Sequence, residues 1–188
     1  ERKAVLARIR NRNAGRLPLV AGIGGNDTAG VVAALRDFDL EGVSAVLSVT
    51  PFYNRPSQRG LYEHFRAVAQ AAPVPVILYN VPGRTGVNML PQTTLQLAGE
   101  FDNIIAVKEA SGDMAQIEEL IAGAPEGFHV LSGDDSLAVR LIEKGGDGLI
   151  SVVANAYPAY VAEMVDAALR RDASRANGLW NGIAELVK

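Results

Sequence analysis

Six short apolar, β-branched runs punctuate the chain: Leu17 to Gly22, Gly42 to Val49, Val74 to Tyr79, Ile104 to Lys108, His129 to Gly133 and Gly148 to Val153. Each has the length of a strand, and longer stretches with helical spacing of apolar residues separate them. The run ends lie 20 to 30 residues apart, the length of one strand and one crossover helix. Helix-opening signals fall in the gaps: Asn26 or Asp27 ahead of Val31 to Leu35, Ser57 ahead of Leu61 to Val68, Pro91 before Thr94 to Leu97, and Asp113 three residues before Gln116. Runs that are apolar on both faces need helices on both sides, so the pattern predicts a parallel sheet and the α/β class. Periodicity alone fits an open doubly wound sheet or a closed barrel. Beyond Val153, Tyr157 to Arg171 and Ser174 to Lys188 predict two helices and no further strand. No linker or charge block interrupts the series, which predicts one compact domain.

Composition narrows the chemistry. At 188 residues the chain is shorter than the roughly 250 typical of a complete eight-stranded α/β barrel. Apolar residues at 48% and charged residues at 21% predict a folded, soluble chain. A net charge of −3 supplies no basic field, so neither nucleic acid nor an anionic membrane is an expected partner. There is no cysteine, and His64 and His129 lie far apart with no acidic or nucleophilic partner at a suggestive spacing. Both histidines are expected to be structural, no metal site is expected, and disulfide and thiol chemistry are excluded. The lack of cysteine, of a long apolar span and of a signal-like start fits a cytoplasmic protein.

Lys108 closes the apolar run Ile104-Ile105-Ala106-Val107, which places an ammonium at the carboxyl end of a buried strand. Ligands of α/β folds bind at that edge. An amine drawn partly out of water has a depressed pKa, and its neutral form attacks a ketone to give a Schiff base. A lysine that merely snorkels to solvent satisfies the same pattern. Tyr79 ends Val76-Ile77-Leu78 at the same edge, where its phenol either exchanges protons with the amine or leaves the ring to pack. Phe52 and Tyr53, in the loop Pro51-Phe52-Tyr53-Asn54-Arg55-Pro56, suit a pocket wall or a subunit contact. Arg84, within Pro82-Gly83-Arg84-Thr85-Gly86, is a bidentate carboxylate clamp or a solvated loop residue.

Two weaker signals read as structure. Gly22-Ile23-Gly24-Gly25-Asn26-Asp27 lacks the third glycine of a dinucleotide fingerprint and the Gly-Lys-Ser/Thr of a phosphate loop, so a tight turn before a helix explains it. Asp134-Asp135 at a strand-helix turn is expected to cap the helix rather than bind a cation.

Three segments, Pro51 to Gln58, Tyr79-Asn80-Val81-Pro82-Gly83-Arg84-Thr85 and Val107-Lys108-Glu109-Ala110-Ser111, resemble in order and spacing the dihydrodipicolinate synthase and N-acetylneuraminate lyase family. The likeness runs from the first helix to beyond Val153. It implies a pyruvate-dependent class I aldolase on a (β/α)8 barrel with a C-terminal helical extension, assembled as a homotetramer. Residues 1-171 would supply six strand-helix units of that barrel, and residues 172-188 the start of the extension. By the same resemblance Lys108 forms the Schiff base with pyruvate, Tyr79 passes protons near that carbon, and Tyr53 crosses from a neighbouring subunit to complete the relay. Arg84 receives the carboxylate of L-aspartate 4-semialdehyde, which points to the synthase branch and to lysine and diaminopimelate biosynthesis. Gly133 and Ile150 match positions whose backbone lies against the Schiff base. No cofactor beyond the lysine is implied.

The chain departs from the family at one motif. A Gly-Thr-Thr-Gly-Glu segment that holds the pyruvate carboxylate is missing, and Thr93-Thr94 follows Pro91 in a predicted helix instead. Six strands where eight are needed predict that the chain starts after the second strand of such a barrel. The resemblance leaves two rivals, another pyruvate-dependent lyase acting on N-acetylneuraminate or a 2-keto-3-deoxy sugar acid, and a non-catalytic barrel segment.

Overall fold

The computed structural model describes residues 1–187. Lys188, which the sequence pattern assigns to the last helix, lies outside the described residues. Six strands, β1 (Val20–Gly22), β2 (Ala45–Val49), β3 (Val76–Asn80), β4 (Ile104–Glu109), β5 (His129–Ser132) and β6 (Gly148–Leu149), form one sheet in chain order. Every neighbouring pair is parallel. Helices α1 (Arg2–Asn13), α2 (Thr28–Asp37), α3 (Gln58–Ala71), the short α4 (Pro82–Thr85), α5 (Pro91–Glu100), α6 (Met114–Gly123) and α7 (Ala138–Glu143) alternate with the strands, and α8 (Pro158–Leu169) and α9 (Ala173–Ile183) follow β6.

Alternation along each strand divides the core in two. Val46, Val76, Leu78, Val107 and Val130 share one cluster with Leu61, Phe65, Leu97, Ile117, Leu120 and Leu141 of the helices. Full burial of such a side chain stabilises the fold by about 1.5–3 kcal/mol. The other face carries a smaller cluster, Ala45, Ile77 and Ala106, flanked by Leu47 and Leu131. Six parallel strands with an inner apolar face and helices outside make a partial TIM-barrel-like sheet, as the resemblance implies.

The capping signals act as the sequence predicts. Asp27 accepts the amides of Ala29 and Gly30, Ser57 that of Gly60, and Asp113 those of Ala115 and Gln116, while Pro91 occupies the first turn of α5. The strand ends are shorter than their apolar runs. Pro18 has no amide to donate, and Asn13 bonds Leu17 at both main-chain groups, so β1 starts at Val20. Gly42 turns the chain at φ 70° ahead of β2. After Leu149 the chain leaves β6 for a 3₁₀ turn, Val153–Asn155.

Helix α1 has no counterpart in the apolar pattern. Arg2, Lys3, Arg8, Arg10 and Arg12 break up any stripe, and Leu6 is its contact with the main core. Its flank is fastened by Lys3–Asp37 and Arg10–Asp39 ion pairs of 2.5 and 2.8 Å. At the other end, α9 lies along α8, with the Tyr160 hydroxyl donating to Leu179 O at 2.9 Å.

Candidate active site

Strands β3 and β4 place Tyr79 directly opposite Lys108. The Lys108 Nζ stands 4.2 Å from the centre of the Tyr79 ring, a cation–π contact. Lys108 is buried at 8% exposure. Burial pulls its amine below the usual lysine range, opposed by the charge of Asp135. Burial also raises the Tyr79 phenol, opposed by Arg84, so at neutral pH the ring offers a protonated hydroxyl.

Gly133 makes room for the amine. A Cβ built there would stand 2.9 Å from Lys108 Cε, 3.1 Å from its Cγ and 2.8 Å from Ala110 Cβ. The Gly133 amide donates to Glu109 O at 2.7 Å, and the Ile150 amide to Ser132 O at 2.9 Å. Both residues therefore sit at the carboxyl edge of the sheet, one just beyond β5 and the other just beyond β6.

Arg84 is exposed on α4, which Pro82 opens and Gly86 closes at φ 74°. A Cβ at Gly86 would lie 2.9 Å from the Arg55 Nε, so glycine there both turns the chain and seats a second guanidinium. Arg84, Thr85, Tyr79 and Phe52 line one cavity of about 550 Å³. The Thr50 hydroxyl donates to Thr85 Oγ1 at 3.3 Å on its buried side.

The Tyr53 amide donates to Thr85 O at 3.4 Å, but its side chain turns away from this group. It is 90% exposed and lines no part of that cavity. The Asn54 amide donates back to Phe52 O at 2.9 Å, which makes Tyr53, at φ 74°, the centre of a γ-turn. A non-glycine residue in that turn is strained, and strain of this kind concentrates at functional sites. Thr93 and Thr94 lie elsewhere: Thr93 donates to Gln58 Oε1 at 2.8 Å and Thr94 to Leu90 O at 3.4 Å, both within the α5 surroundings.

The acid pair corrects the sequence reading in part. Asp134 does cap, accepting the Ser136 amide at 2.8 Å. Asp135 is buried and turns away from its own helix, accepting the Ser151 hydroxyl and the Val152 amide, the latter at 3.0 Å. It thereby ties the loop after β5 to the loop after β6, a contact between residues 16 and 17 apart that spacing does not reveal. His129 also gains an unforeseen partner, Asp147 Oδ1 at 3.0 Å, because β5 and β6 pair side by side.

Glu109 and Asn80, each one residue past a candidate catalytic residue, were invisible as a pair in the sequence. Both are buried, and Asn80 Nδ2 donates to the Glu109 carboxylate at 3.1 and 3.3 Å. Among the described residues no group of three or more His, Cys, Asp or Glu is placed to hold a metal ion, and no helix is long and apolar enough to cross a membrane.

The model of the dihydrodipicolinate synthetase family matches residues 1–188. The chain belongs to that family. A 4-hydroxy-tetrahydrodipicolinate synthase of Flavobacterium psychrophilum is 52% identical over 176 residues, 94% of this chain and 60% of the relative. The crystal structure of dihydrodipicolinate synthase from Aquifex aeolicus superposes with a TM-score of 0.95 at 41% identity, covering 99% of this chain and 64% of that one. The chloride-inhibited dihydrodipicolinate synthase of Acinetobacter baumannii complexed with pyruvate superposes with a TM-score of 0.93 at 40% identity, covering 98% and 63%. The chain thus spans less than two thirds of the length of these family members.

Proposed function

We propose that this chain carries the Schiff-base half of a 4-hydroxy-tetrahydrodipicolinate synthase site, condensing pyruvate with L-aspartate 4-semialdehyde in lysine and diaminopimelate biosynthesis. The observation that carries the reading is the pairing of a buried lysine with a tyrosine ring at 4.2 Å on the carboxyl edge of a parallel sheet. Pyruvate bound to the Acinetobacter baumannii family member supports the choice of first substrate.

In this reading the neutral Lys108 amine attacks C2 of pyruvate, and the carbinolamine loses water to give an iminium. Loss of a proton from the methyl carbon gives an enamine, whose carbon attacks the aldehyde of the second substrate; the alkoxide takes a proton, and the amine of that substrate displaces Lys108 from the re-formed iminium, freeing the lysine. The protonated phenol of Tyr79, whose ring lies against the amine, carries protons to and from these intermediates. Arg84, on the wall shared with Tyr79, receives the carboxylate of the semialdehyde. Gly133 and the backbone of Ile150 flank the imine. The iminium formed on the lysine is the electron sink, so the chemistry calls on no separate cofactor.

Tyr53 projects to solvent within one chain, and its strained turn is the geometry expected of a residue held out for a neighbouring subunit. The homotetramer and cytoplasmic location belong to this same reading.

Turnover discriminates the substrate. The protein as its gene encodes it, given pyruvate and L-aspartate 4-semialdehyde, is expected to consume both together. Cleavage of N-acetylneuraminate or a 2-keto-3-deoxy sugar acid with no use of the semialdehyde would overturn the assignment.

A further inference from the structure

We infer that Glu109 is a positioning residue that holds Lys108 against Tyr79 from the far side of the sheet. The inference rests on the reading of Lys108 as the pyruvate-binding amine.

Alternation along β4 points Lys108 to the inner face and Glu109 into the sheet-helix layer. There Glu109 is 1% exposed. Burial raises its carboxyl above the ordinary glutamate value, opposed by donors from Ser111, Asn80 and Gln116. The Ser111 amide donates at 2.7 Å, Asn80 Nδ2 at 3.1 and 3.3 Å, and Gln116 Nε2 at 3.4 Å. All of these groups are donors, which suits an ionised acceptor.

The donors belong to a wider network. Asn80 Oδ1 accepts the Met89 amide at 2.9 Å, and Asn80 Nδ2 reaches Asn88 Oδ1 at 2.8 Å. Gln116 accepts from Asn88 Nδ2 at 2.8 Å. One carboxylate therefore collects β3, the segment after α4, the turn after β4 and the start of α6.

Main-chain bonds complete the lock beside the reacting pair. The Ala110 amide donates to Asn80 O at 2.9 Å, and the Gly133 amide to Glu109 O at 2.7 Å. Residues 80, 109 and 133 are thus stitched across three consecutive strand ends, one position beyond Tyr79, Lys108 and Ser132.

The β3–β4 ladder needs such a lock. Its register shifts between Val76 and Ile77, so the beginning of the pairing does not by itself fix the end. Apolar side chains at 80 and 109 would fill the layer without direction. A buried carboxylate with several donors accepts only one arrangement. That arrangement sets the opposition of Tyr79 and Lys108.

The test uses the protein as its gene encodes it, with the rate of borohydride-trapped pyruvate adduct on Lys108 measured per folded molecule. Glu109→Gln leaves the Asn80 amide facing another amide and is expected to slow adduct formation about tenfold, with the half-saturating pyruvate concentration changed less than about twofold. A residue that served stability alone would lower the melting temperature and leave the rate per folded molecule unchanged, and that result overturns the inference. Should Glu109→Gln fail to fold, Asn88→Ala removes an outer link while keeping the carboxylate. It is expected to slow the adduct about threefold, and an unchanged rate there overturns the inference equally. Absence of any adduct in the unsubstituted protein would overturn the reading of Lys108, and this inference with it. A normal adduct rate in every variant would overturn the inference alone.

Discussion

Gly133 and Lys108 share one volume: the methylene stem of the lysine runs where a side chain at position 133 would stand, with Cε 2.9 Å from an ideal Cβ. Real Cβ atoms do not approach that closely, and the same Cβ would stand 2.8 Å from Ala110 Cβ. Gly133→Ala is therefore expected to displace the amine while leaving the sheet intact. A misplacement of this kind slows reaction on the order of 10²-fold. Circular dichroism together with the rate of pyruvate adduct formation checks it. A folded variant reacting at the original rate would show that the lysine stem moves aside freely.

Tyr79→Phe and Tyr53→Phe each remove a hydroxyl and little volume. Both variants are expected to fold and to lose turnover by roughly 10²-fold to 10⁴-fold, the range of a lost proton transfer. The two should differ in origin: Tyr79 lies against Lys108 in the same chain, whereas Tyr53 is 90% exposed and lines no part of the cavity that Tyr79 lines. Mixing Tyr79→Phe with Tyr53→Phe subunits is expected to restore activity in a fraction of sites. Full turnover in both single variants would remove the relay from the mechanism.

Arg84 touches the same cavity as Tyr79 but acts, in this account, on the second substrate alone. Arg84→Ala is expected to leave pyruvate adduct formation within about twofold and to reduce kcat/KM for the semialdehyde by about 10-fold to 10²-fold, as for a lost charge-assisted bidentate contact. Equal losses in both steps would place the arginine on pyruvate instead.

His64 links sequence to acid stability. The ring is buried in α3, with Nδ1 2.8 Å from Thr28 Oγ1 and Nε2 meeting no hydrogen-bonding group among the described residues. Burial lowers its pKa from 6.5 to about 4. The unfolded chain then binds a proton that the folded chain refuses, so stability falls as pH drops from 6.5 towards about 4, by about 3 kcal/mol at the lower end. His64→Gln keeps a polar partner for Thr28 and abolishes the titration. Urea unfolding at pH 7 and pH 4.5 is expected to show a smaller loss in the variant than in the parent. Parallel losses would mean that other groups govern acid sensitivity.

The strands and the candidate edge were legible because parallel buried strands leave apolar runs and because Lys108 and Tyr79 end two consecutive ones, whereas periodicity left the order of the strands open and the sheet shows it to be the chain order. Arg84 stood out as a loop guanidinium, and motif likeness then added Gly133 and Ile150, which periodicity shows only as members of apolar runs. The rest depends on side chains meeting across strands. Asp135 finds Ser151, His129 finds Asp147 and Glu109 finds Asn80 only after the sheet has formed. Gln116 shows the limit well. Its spacing from Asp113 predicts a reciprocal cap, and Asp113 does cap, yet the Gln116 side chain turns inward to Asn88 and Glu109. Helix α1 escaped notice for the opposite reason, since a helix fastened by surface ion pairs leaves no apolar rhythm.

The central claim is that Lys108 is the amine that takes pyruvate, and borohydride reduction in the presence of pyruvate tests it directly, because reduction fixes an imine as a stable secondary amine. Peptide mapping of the trapped protein is expected to place the added mass on Lys108. The trapping rate is expected to rise with pH through a midpoint below the ordinary lysine value of 10.5, since burial favours the neutral amine. An adduct on Lys3 or Lys144 with Lys108 unmodified, or no adduct at any pH, would contradict the account.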